Sequence, residues 1–293
     1  MKTKIDTSKF LVESKSKIDL SQWPTEISPF YQSKENYLAL LDESREEIGA
    51  LQEVLYAHDR YAVLLIFQGM DSAGKGGAIK HVMSGINPQG CQVFSFLAPG
   101  SEALEHDFLW RANKSLPERG RIGIFDRSSY EEVVVVRIQP QLLEQQRIPA
   151  EFVDPKRIWQ ERFSDIVNLE DYLHRNGTRI IKFFLHLSKE EQRKRLLARI
   201  DDPTKNWKIG NADIEARRKW HDYQHAYAEC IGTTSSETAP WFIIPADDKR
   251  NTRLIVSSIL LETLQSLKMD FPQSSDVHRA ELARMQDYLE GDK

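Results

Sequence analysis

Residues 61–77 read YAVLLIFQGMDSAGKGG, and the fold follows from how this stretch is divided. Its first part, 61–67, is apolar at nearly every position. That pattern marks a strand buried on both faces, as in a parallel sheet, and not the alternation of a half-exposed antiparallel strand. The strand runs directly into Gly69-Met70-Asp71-Ser72-Ala73-Gly74-Lys75-Gly76-Gly77, where Gly69, Gly74 and Lys75 match GxxxxGK. Ala78, Ile79, Val82 and Met83 then fall at helical spacing. Strand, glycine-rich loop and helix start, in that order, make a cradle for phosphate. The glycines let the backbone N–H groups of Ser72, Ala73, Gly74, Gly76 and Gly77 converge on phosphate oxygens. The helix N-terminus adds partial positive charge, and Lys75 adds a full one. Gly76 stands where a hydroxyl ligand for Mg²⁺ is usual, so Asp71, inside the loop, is the candidate to supply an oxygen instead.

Outward from this stretch the chain repeats the theme. Four more runs, 91–96, 121–126, 179–186 and 241–245, apolar-rich but shorter or more mixed than the first, are separated by stretches that read as helices at 75–84, 101–116, 155–175, 189–199, 213–229 and 250–267. A further helix is expected over 34–57, with Leu41, Ile48, Leu51 and Leu55 on one face. Strands alternating with helices predict βαβ units and a mostly parallel sheet. Ligands of such sheets bind beyond the carboxyl ends of the strands, which gives weight to 68–76, 97–101, 126–131, 187–189 and 246–250. Residues 1–32 are polar, with Pro24 and Pro29, and read as a surface arm pinned by Leu20 and Trp23. The expected organisation is one domain: 1–58 as arm and first helix, 59–270 as core with a lid at about 193–225, and 271–293 as a C-terminal tail.

The run 121–126 closes on Asp126, an acidic residue ending a buried strand. With Asp71 it would give two carboxylates for Mg²⁺, a hard cation that takes oxygen ligands and shares substrate phosphates. Asp126 also fits a helix N-cap, and both roles can hold together. Arg127 follows at once, and Arg137 lies beyond the apolar run 133–136; either is also readable as a solvated surface arginine. Residues 193–219 hold nine Lys/Arg against four acids, a local charge of about +5 in a chain of net −4. Two solvated helix faces would explain it, but so would a lid that clamps phosphates and excludes water. Trp207 and Trp220, within it, are read as packing residues.

Of the 293 residues, 40% are hydrophobic and 29% charged, which suits a soluble globular protein with a large core. The N-terminus lacks the apolar stretch of a secretion signal, and no run approaches a membrane span. Cys91 and Cys230 form no CxxC pair and read as small buried residues in a reducing cytoplasm. His221 and His225 are four apart, with no evident third ligand.

Taken together, GMDSAGKGGAIKHV (69–82), INPQG (86–90), HDFLWR (106–111), FDRSSYEEVVVVR (125–137) and RIDDPTKNWK (199–208) resemble the polyphosphate kinase 2 family. The resemblance extends over roughly 18–267, with IDLSQWPT (18–25) matching the family's N-terminal arm. It implies an α/β fold: a P-loop kinase three-layer sandwich with a central five-stranded parallel sheet and a helical lid. It implies Mg²⁺-dependent, reversible transfer of phosphate between inorganic polyphosphate and nucleoside mono- or diphosphates. Adenine nucleotides are expected, with guanine nucleotides as a variant, and neither nucleic acid nor membrane as partner. On the same resemblance Asp71 and Asp126 organise the metal, and Lys75 is the loop lysine. Arg127, Arg137, Arg193, Lys205 and Lys208 are phosphate-contacting bases, and the assembly is a homodimer or homotetramer. Glu131, in SSYEEVVVVR, is similar to the class that takes both AMP and ADP. That class often carries Asn at the position of Asp126. Both AMP and ADP are expected as acceptors. Two rivals remain: a nucleoside monophosphate kinase using ATP, and a non-catalytic polyanion- or nucleotide-binding module.

Overall fold

The computed structural model describes residues 5–292, so residues 1–4 of the arm and Lys293 of the tail lie outside the described residues. In chain order the elements are α1 (Lys34–His58), β1 (Ala62–Gln68), α2 (Lys75–Val82), β2 (Cys91–Ser95), α3 (Ser101–Leu104), α4 (Trp110–Asn113), β3 (Ile122–Asp126), α5 (Glu131–Ile138), α6 (Gln141–Glu144), α7 (Ile158–Arg175), β4 (Thr178–His186), α8 (Lys189–Asp201), α9 (Asn211–Arg218), α10 (Trp220–Thr234), β5 (Trp241–Pro245), α11 (Lys249–Ser266) and α12 (Asp276–Gly291). The five strands form one parallel sheet in the order β2-β3-β1-β4-β5.

The uninterrupted apolar run of β1 has a direct cause. Val63, Leu65 and Phe67 join a core with α1, α2 and α11 on one face. Leu64 and Ile66 join a second core with α5, α7 and α10 on the other. Alternate side chains point to opposite faces, and here both faces are covered. The result is the expected three-layer sandwich. Register then fixes the chemistry: Phe67 pairs with Asp126 across β1 and β3, so the Asp126 carboxylate stands beside the start of the glycine-rich loop.

Several expectations need correction. The helix expected over 101–116 is two short ones, α3 and α4, because the Asp107 side chain accepts from Leu109 N (2.9 Å) and turns the chain between them. The helix expected over 213–229 breaks at Lys219, beyond which Trp220 turns into the core. The apolar run 133–136 is the buried body of α5, whose β-branched valines pack on α7 and α10 regardless of their low helix propensity. The tail contains α12, opened by Ser275, which accepts from His278 N (3.2 Å). Cys91 is half-buried, not buried like Cys230. Trp220 packs as expected, but Trp207 is 74% exposed, with the Lys208 ammonium 5.0 Å over its ring.

Leu20 is buried and Trp23 packs beside it on the second core. Thr25 Oγ1 donates to Asp247 (2.9 Å), tying the arm to the loop after β5. Among the described residues no helix is long and apolar enough to cross a membrane.

Candidate active site

The glycine-rich loop leaves β1 at Gly69. There φ is +146°, and a Cβ would come within 2.8 Å of the Leu185 carbonyl, so only glycine fits. Lys75, the first residue of α2, is buried and folds back over the loop, donating from Nζ to Gly69 O (2.7 Å). Burial, and the neighbouring Arg127 guanidinium, push its pKa down; Asp71 and Asp126 push it back up. The ammonium therefore sits between two carboxylates and an arginine, at the mouth of the loop.

Asp126 meets the description of a cation ligand. Its Oδ1 is buried with no hydrogen-bond partner, which is costly for a carboxylate unless something positive binds it. Gly76 matters here: a Cβ at that position would lie 3.6 Å from Asp126 Oδ2, so the missing hydroxyl side chain leaves the front of this carboxylate open. Asp71 faces the same region, and its Oδ1 accepts from Arg127 Nη2 (2.8 Å). Among the described residues no cluster of three or more His, Cys, Asp or Glu could hold a metal alone. Two carboxylates plus phosphate oxygens and water is the donor set that suits Mg²⁺.

Arg127 takes φ +66° just after β3, and its Nε is 3.9 Å from Glu131 Oε2. Burial pushes the Glu131 carboxyl up, against the pull of Arg127 and Lys75. With its amide assigned so that the nitrogen faces the carboxylate, Gln68 steadies Glu131, donating to its Oε1 (2.8 Å) while accepting from Ser128 N (3.1 Å).

Two cavities meet at the loop. The first, of about 620 Å³, runs past Ser72, Ala73, Gly74 and Gly77 and is lined by six cations, Lys194, Arg195, Arg199, Lys205, Lys249 and Arg253, against one carboxylate, Glu191. The second, of about 350 Å³, opens on Gly69 and Asp71 and is mixed: Phe96, Leu97, Tyr223 and Tyr227 beside Arg111, Arg127, Glu131 and Glu132. Asp71 and Ser72, adjacent in sequence, face different cavities.

The structure thus gathers Gly69, Asp71, Ser72, Ala73, Gly74, Lys75, Gly76, Gly77, Asp126, Arg127 and Glu131 at one place, with Lys205 on the rim of the basic cavity. It does not bring the other expected bases there. Arg193 is exposed and pairs with Glu190 (2.8 Å). Lys208 lies over Trp207. Arg137 pairs with Glu229 of α10 (2.8 Å) and lines neither cavity.

Sequence reasoning passed over other residues. Arg195 is nearly sealed, donating from Nη1 to Ser72 O (3.1 Å) and Ala73 O (3.0 Å) and from Nη2 to Ala246 O (2.7 Å) and Asp247 O (2.9 Å). Lys249 and Arg253 belong to α11, whose start lies within the 246–250 region flagged by strand polarity. Arg111 ends HDFLWR, donates to Leu97 O (2.5 Å) and faces Glu132. Its place at the end of the HDFLWR motif is the sequence signal for it.

Comparison with known proteins gives a consistent result. The sequence pattern of the polyphosphate kinase 2 family matches residues 31–272. The chain is 56% identical over 286 residues to an ADP-polyphosphate phosphotransferase of Rhodopseudomonas palustris, covering 98% of this chain and 99% of that protein. It is 41% identical over 266 residues to an AMP/ADP-polyphosphate phosphotransferase of Meiothermus ruber, covering 90% and 95%. A crystal structure of polyphosphate kinase 2 from Arthrobacter aurescens superimposes with a TM-score of 0.86 at 36% identity, covering 98% of this chain and 99% of that one.

Proposed function

The chain belongs to the polyphosphate kinase 2 family, and from that premise we propose that it transfers phosphate reversibly between inorganic polyphosphate and adenine nucleotides, ADP to ATP and AMP to ADP. The carrying observation is the pair of unlike cavities meeting at one phosphate loop. Polyphosphate bears a charge on every unit and no apolar surface, so it suits the cavity with six cations against one carboxylate. A nucleotide has an aromatic base, a ribose and a short phosphate chain, and suits the cavity of Phe96, Tyr223, Arg127 and Arg111. An ATP-using kinase has no need of the long basic channel.

In the forward direction an oxygen of the terminal phosphate of ADP attacks the terminal phosphorus of the polymer. A new P–O bond forms, the outermost anhydride P–O bond breaks, and the polymer leaves one unit shorter. No strong nucleophile is required from the protein, since the attacking oxygen is already ionised; positioning and electrostatics do the work. Lys75 and the backbone N–H groups of the loop hold the transferring group. Arg127, fixed by Asp71 and Glu131, offsets charge on the acceptor side. The cation, taken to be Mg²⁺, would be held by Asp71 and Asp126 and would supply charge neutralisation between donor and acceptor oxygens. The cytoplasm is the proposed location, supported by cysteines that stay unpaired, and a homodimer or homotetramer is the proposed assembly, to be read by light scattering.

The deciding experiment incubates the protein with Mg²⁺, polyphosphate and either ADP or AMP, with no ATP added. ATP from ADP is the expected product, and ADP followed by ATP from AMP is expected from the broad-class reading of Glu131. No product from either nucleotide, together with transfer from added ATP to AMP, would replace this reading by that of an ATP-dependent monophosphate kinase. Within the proposed scheme, Arg199→Glu puts a negative charge in the basic cavity. It is expected to raise KM for polyphosphate about tenfold, a cost typical of a misplaced charge beside an anion, while KM for ADP stays near wild type. An equal rise in both would refute the division of the cavities.

A further inference from the structure

Three consecutive carbonyls of the phosphate loop are held from outside by one helix. α8 sends Arg195 to Ser72 O and Ala73 O and sends Gln192 to Asp71 O (Nε2 to O, 3.0 Å). Gln192 is wholly buried. Its other end is engaged too: Oε1 accepts from Arg217 Nη1 (3.0 Å), and the same nitrogen donates to Lys189 O (2.6 Å). Arg217 belongs to α9, and Ala212 and Ala216 of that helix line the mixed cavity assigned above to the nucleotide. The side chain of Asp71, meanwhile, is held from that cavity by Arg127. An amide offers a donor at one end and an acceptor at the other, so it can join a guanidinium to a carbonyl; a carboxylate would lack the donor, and an alkyl side chain lacks both.

We propose that Gln192 is a positioning residue that couples the seating of α9 over the nucleotide cavity, through Arg217, to the backbone of Asp71, so that the loop carrying this carboxylate takes its working geometry when the lid is seated. The inference rests on the reading of that cavity and of Asp71 given under the proposed function. Its physical basis is simple. With Arg217 in place the Gln192 amide is pinned at both ends and Asp71 O has a fixed donor. Without Arg217 the amide is free to turn, and a buried carbonyl that loses its donor drives the loop to relax. A displacement of about 1 Å at a reacting centre costs on the order of 100-fold in rate.

The test has two readouts. The first is amide hydrogen exchange over 69–75 in the protein without metal or substrate. Arg217→Ala, at a partly exposed position, and the volume-conserving Gln192→Met should each speed exchange of this loop. The double variant should be no faster than Gln192→Met alone, and Arg218→Ala, an exposed neighbour paired with Glu215, should match wild type. The second readout is kinetic. Arg217→Ala should lower kcat about 10- to 100-fold, as loss of a supporting contact to a metal site does. KM for polyphosphate should change less than about threefold, and Arg217→Lys should restore part of both losses. If Gln192→Met does not fold, Arg217→Ala decides alone. Unchanged loop exchange in Arg217→Ala, or independent and multiplying effects of the two substitutions, would overturn the coupling. A wild-type protein that makes no ATP from polyphosphate would overturn the proposed function instead, and the exchange experiment would still decide whether α9 and the loop are linked.

Discussion

Asp126→Ala is expected to lower kcat by about 100- to 1,000-fold, the scale on which enzymes lose activity when a pre-placed charge for the transition state is removed. Three features assign this carboxylate to the site and not to a helix cap, since the residue preceding α5 is Tyr130 and Asp126 caps no described helix. Parallel register places it opposite Phe67, at the threshold of the phosphate loop. Its Oδ1 is buried with no partner. Gly76 leaves the space before Oδ2 free of a side chain. Asp126→Asn, which keeps one oxygen and drops the charge, should fall between alanine and wild type, and raising Mg²⁺ should recover part of the asparagine loss but little of the alanine loss. The fold should survive both, because Asp126 ends its strand and anchors no described side chain. Steady-state assays beside melting curves check the point; alanine turnover within threefold of wild type would remove Asp126 from the chemistry.

The largest expected loss of stability lies beneath the site, not in it. Lys182 is sealed in the middle of β4, and its Nζ donates to Glu170 Oε2 (2.6 Å), Tyr130 Oη (2.9 Å) and Thr234 O (2.8 Å). Tyr130 in turn donates to Glu170 Oε1 (2.7 Å). Burial pushes the Lys182 pKa down and the Glu170 pKa up, and each charge opposes the shift of the other. Such a pair adds little net stability while intact, yet removing one member strands the other. Glu170→Ala should therefore cost roughly 3–5 kcal/mol and lower Tm by on the order of 10 °C. The double change Glu170→Leu with Lys182→Met should recover most of this, held short by the orphaned Tyr130 hydroxyl. Activity should suffer as well, since Tyr130 lies between Arg127 and Glu131, and the network fixes that turn under the cavity lined by Phe96 and Tyr223. Thermal unfolding of the single and double variants separates this account from a simple cavity effect, in which the double change would be the worse of the two.

The sequence was most informative where function is compressed into contiguous chain. The loop 69–77 is legible because strand, glycines, lysine and helix must follow one another for backbone N–H groups to converge, so their order in space is their order in sequence. Asp126 was legible because a parallel sheet presents every strand's carboxyl end on one edge. The sheet itself was legible because its central strand β1, covered on both faces, is apolar at nearly every position, and because apolar-rich runs recur between helical stretches. The breaks within 101–116 and 213–229 were not, because each depends on a local turn or on where one tryptophan finds its pocket.

The basic segment shows the division most clearly. Arg193 and Arg195 stand two apart in a single run, and no local feature distinguishes them. Successive residues of a helix turn by about 100°. Gln192, Arg195 and Leu196 consequently face the core side of α8, while Arg193 faces water. Which side is which is settled only when α8 packs against a loop some 120 residues earlier in the chain. By itself, then, the sequence determined the sheet, the phosphate loop, its two carboxylates and the family, since these rest on local order and strand polarity. Only the tertiary structure decided which cations line the basic cavity and which side chains hold the loop from behind, because those choices are made by contacts between segments far apart in the chain.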